Sequence, residues 1–79
     1  MRLDKYLKVS RIIKRRTIAN EACGQGRVSI NGKPAKPGTE VKINDIIEIR
    51  FGENYRKYEI LEVSEHAAKK DASAMFREL

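Results

Sequence analysis

The sequence predicts an α+β domain: two amino-terminal helices packed on a small, mostly antiparallel sheet, with a short helix at the carboxy terminus. Three observations predict it. Apolar residues recur at helical spacing in two stretches before residue 25. Short β-branched runs, broken by turn dipeptides, fill residues 28 to 63. The length of 79 residues suits one domain, and a domain of this order buries only about 60% of its unfolded surface, which leaves a thin core and no deep substrate cavity.

The first helix is expected over Leu3–Val9. At about 100° per residue, Leu3, Tyr6 and Leu7 share one arc, and Asp4, Lys5 and Lys8 share the other. This is an amphipathic helix. A basic connector, Ser10 to Arg16, follows, with Ile12 and Ile13 turned inward. The second helix is expected over Arg16–Gly24, with Ile18, Ala19, Ala22 and Cys23 on its apolar arc and Arg16, Thr17, Asn20 and Glu21 opposite. Gly24 and Gly26 supply its stop, where a left-handed residue is wanted.

Strands follow. Val28 and Ile30 alternate with Ser29, and Asn31-Gly32 suits the positive φ angles of a tight hairpin. Pro37-Gly38 marks a second turn. Val41 and Ile43 lead to Asn44-Asp45, a third. Ile46–Phe51 reads as an apolar strand, Gly52–Asn54 as its turn, and Tyr55–Val63 as a long last strand. Ala72, Met75, Phe76 and Leu79 follow i, i+3, i+4, i+7 spacing, which predicts a carboxy-terminal helix. Residues 1–65 thus form the domain and 66–79 a helical extension.

Charge is distributed unevenly. Residues 1–42 hold eleven Lys or Arg against three acids, a net of +8, and residues 43–79 hold six against eight, a net of −2, which together give the formal +6. One half is built to meet a polyanion and the other is not. Seven bases stand against one acid in the first 16 residues: Arg2, Lys5, Lys8, Arg11, Lys14, Arg15 and Arg16. If the helices pack antiparallel through their apolar faces, these bases form one ridge that neutralises several phosphates of a nucleic-acid backbone and releases their counterions. The arginines at 2, 11, 15, 16 and 27 can each grip a phosphate with two hydrogen bonds.

Other chemistry finds no footing. One cysteine and one histidine cannot furnish a zinc site, and no nucleophile–base pairing stands out. Gly24-Gln25-Gly26 lacks the Lys-Ser/Thr of a phosphate loop. Cys23 and Tyr6 read as core, His66 as surface or cap, and Glu59, Glu62 and Glu65 as a solvated strand side. The expected protein is not an enzyme and needs no cofactor. A single cysteine, no membrane-length apolar run and no signal-peptide core point to the cytoplasm. Nothing demands more than a monomer.

Arg2-Leu3-Asp4-Lys5, then Arg16-x-x-Ala19, then Gly26-Arg27-Val28-x-x-Asn31-Gly32, then Asn44-Asp45 before a strand, resembles the S4 RNA-binding domain over residues 2 to 51. That resemblance implies two helices on a small sheet, with RNA meeting the helix pair and the adjacent hairpin turn. It implies RNA contacts from Arg2, Lys5, Arg15, Arg16, Asn20, Arg27, Asn31 and Lys33, which join the ridge residues Lys8, Arg11 and Lys14. Within the family the chain looks like the short stand-alone members that act in ribosome-associated quality control. These imply a seat on stalled large ribosomal subunits, with rRNA and peptidyl-tRNA as partners and a chain-elongating quality-control factor beside them. The related heat-shock members, which act in recycling large subunits, carry a long basic carboxy-terminal tail that this chain lacks. A general basic RNA- or DNA-binding protein, or an accessory to an RNA-modifying enzyme, are the remaining readings. Two positions depart from the family pattern. Arg15 stands where a capping Ser or Thr is usual, and Asn44 replaces the glycine usual before the turn aspartate.

Overall fold

The computed structural model describes residues 1–65 and 71–79. Helix α1 spans Leu3–Val9 and α2 spans Arg16–Gly24. Strands β1 (Val28–Ile30), β2 (Lys33–Pro34), β3 (Ile46–Phe51), β4 (Asn54–Ile60) and β5 (Phe76–Glu78) form one sheet in the order β2-β1-β3-β4-β5, every pair antiparallel. Both helices fall where their apolar periodicity places them.

The turns follow from their residues. Asn31 and Gly32 take φ values of 52° and 83°, and Ile30 pairs directly with Lys33, so β1 and β2 are joined by a two-residue turn positive at both positions. Only Asn and Gly reach such angles cheaply. Phe51 pairs with Asn54 across Gly52-Glu53, where Gly52 alone is positive, which is the pattern of a II′ hairpin. Pro34, which has no N–H to donate, sits on the edge strand β2.

The core lies between the helices and one face of the sheet. Leu3, Tyr6 and Leu7 of α1 and Ala19, Ala22 and Cys23 of α2 pack on Val28, Ile47, Ile49, Tyr58 and Ile60. In β3, Ile47 and Ile49 are buried because alternate residues face the helices. Ile12 and Ile13 of the connector pack against the same cluster, as their apolar character requires.

Two apolar expectations resolve differently. Ile18, at the margin of the apolar arc of α2, is 48% exposed. The larger difference is at the carboxy terminus. The expected helix is a single 3-10 turn, Ala72–Met75, after which the chain extends as β5. Strand β4 ends at Ile60 instead of continuing to Val63. The open edge of β4 offers backbone groups that a chain-terminal helix could not use, and β5 takes them, with Ile60 opposite Phe76 and Tyr58 opposite Glu78. Phe76 then meets Tyr58 edge to face, ring centroids 5.4 Å apart. Ala72 and Met75 are buried in both arrangements, but Leu79 is exposed. Residues 66–70 of the expected extension, with His66, lie outside the described residues.

One carbonyl ties this segment down. The Met75 oxygen accepts hydrogen bonds from the Tyr6 hydroxyl (2.8 Å), Leu61 N (2.8 Å) and Glu62 N (3.1 Å). Burial pushes the Tyr6 hydroxyl far above its ordinary titration range, so it remains a donor at any pH the fold meets. Tyr6→Phe removes one of three donors and leaves the carbonyl satisfied. It should therefore cost only about 1 kcal/mol, read as a lower urea midpoint with an unchanged slope.

Candidate nucleic-acid interface

The basic residues of the first 20 positions are organised by the acid among them. Asp4 lies in the first turn of α1 and is 2% exposed, although its arc of the helix reads as solvent-facing. A buried carboxylate is costly unless it is paired and hydrogen-bonded. Here Arg2 Nε and Nη2 donate to its two oxygens at 3.2 and 3.4 Å, and Lys5 N donates at 2.8 Å. From α2, Asn20 Nδ2 donates at 3.2 Å and Arg16 Nε stands 3.6 Å away. Burial alone would raise the Asp4 pKa. The Asn20 and Lys5 hydrogen bonds and the Arg16 and Arg2 charges outweigh it, and the carboxyl is held below its ordinary value.

The consequence is positional. Asp4, in the first turn of α1, meets Arg16 and Asn20 of the first half of α2. Arg2, Arg16 and Asn20 converge on one carboxylate. Arg2 and Arg16 still keep 56% and 48% of their side chains exposed, so each guanidinium is anchored on one edge and open on the other. The loop before residue 40 joins the same place. Leu3 N donates to Thr39 O and Asp4 N to Pro37 O, which brings exposed Lys36 beside the start of α1.

The remaining candidates are distributed around this centre. Lys5 is half-buried with Nζ 3.8 Å from Glu65. Lys8 is exposed in the last turn of α1, where a cation also suits the helix dipole. Arg11 follows the Ser10 cap at φ 63°, a left-handed position that ends α1 and would ordinarily be glycine. Lys14 and Arg15 are exposed on the connector. Arg15 occupies the cap position of α2 in an extended conformation, and its side chain makes no capping hydrogen bond. The lost cap costs on the order of 1 kcal/mol, and a charge stands in its place.

Arg27 precedes β1, Asn31 lies in the β1–β2 turn and Lys33 opens β2. No hydrogen bond or ion pair among the described residues joins them to the Asp4 centre. Arg27 and Lys33 are exposed. Asn31 serves the fold: its Nδ2 donates to Asp45 at 3.0 Å and its Oδ1 accepts from Ile46 N at 2.9 Å. Asp45 in turn accepts from Lys42 N at 2.9 Å. This clasp fixes the β1–β2 turn against the start of β3, and Asn44 at φ 78° makes the bend that allows it. Cys23 is buried, and desolvation with the nearby Asp4 charge pushes its thiol up to about 11. A thiol so placed stays protonated and inert.

Charge counting ranks Asp4 as the odd residue out. The signal that marks it is the Arg2-Leu3-Asp4-Lys5 string itself, one acid set inside a run of bases. Because its folded pKa is depressed, the stability it contributes is fully present above the unfolded value of about 3.8 and is lost as pH falls through the folded value. Asp4→Asn should lower stability at neutral pH by about 2 kcal/mol, through lost charge-assisted hydrogen bonds. The gap between the variant and the parent chain should then close on acidification below about pH 3.8, read by urea titrations across that range.

The S4 domain family model matches residues 1–47, the two helices and the strands through Ile47. The RQC P-site tRNA stabilizing factor of Streptococcus pneumoniae is 53% identical over 76 residues, covering 96% of this chain and 86% of that protein. The protein of the same name from Bacillus subtilis is 47% identical over 76 residues, covering 96% and 88%. A solved trimeric structure of Vibrio cholerae Heat Shock Protein 15 superposes on the whole of this chain and 81% of its own, with a TM-score of 0.90 and 32% identity. A helix pair joined through Asp4, turns set by Asn31 and Asn44, and likeness along nearly the full length to these proteins lead to one assignment: the chain belongs to the S4-domain family, in the group of the RQC P-site tRNA stabilizing factors.

Proposed function

We propose that this chain is an RNA-binding factor of the large ribosomal subunit, which contacts rRNA and peptidyl-tRNA on stalled subunits during ribosome-associated quality control. It acts in the cytoplasm by binding and positioning, with no chemistry of its own, while a separate factor elongates the stalled chain. The observation that carries this reading is the pair of half-exposed guanidiniums, Arg2 and Arg16, held by one buried carboxylate amid further exposed bases. Such a surface grips phosphates at fixed positions instead of attracting them diffusely. The names borne by relatives about half identical along nearly all of the chain support the choice of ribosome and tRNA over other polyanions.

In this reading Arg2, Arg16, Lys5, Lys8, Arg11, Lys14 and Arg15 hold backbone phosphates. Asn20 contributes by fixing Asp4. Arg27 and Lys33 extend the contact toward the hairpin turn, and Asn31 keeps that turn in shape.

The direct test is sucrose-gradient sedimentation of a lysate containing the tagged chain, with the bound RNA probed for tRNA. Co-migration with the large-subunit peak together with tRNA is expected. Migration only at the top of the gradient at physiological salt would overturn the proposal. Arg16→Ala should weaken binding to the subunit and lower the dependence of log K on log salt by about one unit, the share of one phosphate. Its stability should change by less than about 1 kcal/mol, because the Asp4 pair is half-exposed on the arginine side.

A further inference from the structure

The sheet outruns the helices that cover it. Ile47 and Ile49 of β3 are buried, and Phe51, next on the same face, is 41% exposed. Arg56 lies opposite Ile49 in the β3–β4 register, so it too projects on the helix side. Exposed Ile18 of α2 and half-buried Ile12 of the connector stand above this uncovered end. Together they bound an apolar shelf of about 340 Å³ with Arg27 and Arg50 in its wall. A second hollow of about 410 Å³, walled by Phe51 and Arg56, shares Ile12 and Phe51 with it. The first volume is at the small end of ligand sites, roughly 300–1,000 Å³.

No acidic side chain lines either hollow among the described residues. Two arginines, Arg27 and Arg56, rim an apolar floor that carries an aromatic ring. The shelf is also continuous with the basic surface. Ile12 directly follows Arg11, and Ile18 lies on α2 between Arg16 and Asn20. A flat, apolar ring flanked on both sides by phosphate is the chemistry that fits this combination. Apolar segments of proteins bring no such anions, and helical duplexes keep their bases stacked inside.

We propose that this shelf receives a single unstacked nucleobase of the bound RNA, stacked on Phe51 beneath Ile12 and Ile18, with Arg27 and Arg56 on the adjoining phosphates. The inference rests on the RNA-binding reading above and adds a base-reading subsite to a surface otherwise suited to phosphates. Unpaired bases are the parts of an RNA that proteins reach by stacking, and the shelf makes an RNA with a single-stranded loop a better ligand than a duplex of equal charge.

The test uses the full chain and two probes: a fluorescent RNA hairpin with an unpaired loop, and a blunt RNA duplex with the same number of phosphates. Anisotropy titrations compare Phe51→Ala, Phe51→Leu and Arg16→Ala with the parent, after thermal melts establish that each is folded. Both Phe51 variants should lose roughly tenfold in affinity for the hairpin. They should keep the parent's affinity for the duplex and its salt slope, whereas Arg16→Ala weakens both probes. Phe51→Leu binding the hairpin like the parent would mean an apolar contact without stacking, and would overturn the proposal. Unchanged hairpin binding by both Phe51 variants, with Arg16→Ala impaired, would overturn the subsite and leave the RNA reading standing. Loss of large-subunit binding with hairpin affinity intact would give the shelf to a ribosomal protein instead, and would equally overturn it. Unchanged binding by Arg16→Ala as well would sink the RNA reading and the subsite together.

Discussion

A buried carboxylate governs this fold. Asp4 has its negative charge removed from water, and only the convergence of Arg2, Arg16, Asn20 and the Lys5 N–H makes that position tolerable. The same contacts do two further things. They fasten the first turn of α1 to the first half of α2, and they fix two long arginine side chains that would otherwise sample many rotamers. Ordering a long charged side chain costs up to about 2 kcal/mol. Where that ordering is already complete in the free protein, it is not charged again on binding, which is how preorganisation raises affinity without adding a contact. The residue that looks like an interruption of the basic run is what gives the run a shape.

A second clasp sets the sheet. Asn31 and Asp45 lie fourteen positions apart, yet their side chains meet at 3.0 Å, and each also holds a backbone N–H across its turn. Asn31 and Asn44 both carry positive φ, and short polar side chains bear that conformation best among residues other than glycine. Asn44 in place of the glycine usual in the family leaves the bend intact for this reason. The carboxy-terminal strand is held differently, by the Met75 carbonyl, whose donors include a tyrosine from the opposite end of the chain. A domain with so thin a core relies on such few-atom junctions more than a larger one would.

These junctions explain what was legible in the sequence and what was not. Periodicity located α1 and α2, because the side facing the core repeats every 3.6 residues whatever the partner is. Turn dipeptides located the hairpins, because positive φ restricts the residue type. The carboxy-terminal segment misled, since Ala72, Met75, Phe76 and Leu79 satisfy a helical template over a stretch too short to decide the matter. The vacant edge of β4, a tertiary feature, drew Phe76–Glu78 into the sheet. In the candidate interface, the bases themselves were plain from charge alone. The burial of Asp4 was not, because it depends on an arginine and an asparagine more than ten residues away. The exposure of Ile18 and Phe51 was equally hidden, for an amphipathic pattern reports which residues share a face and not where the opposing layer stops.

The same view bears on the charge of the molecule. A net of +8 in one half opposes compaction, since like charges brought together on folding repel. Of the three acids in that half, Glu21 and Glu40 are exposed and Asp4 is buried. Asp4 lies underneath, where the negative charge relieves repulsion between Arg2 and Arg16 from the protein side and leaves their outer edges positive. In the second half of the chain Glu59 serves the sheet by pairing with Arg77 at 2.6 Å, and Glu65 stands 3.8 Å from Lys5. What matters is therefore where the neutralising groups sit. Beneath an interface they strengthen it, and on top of it they would cancel it.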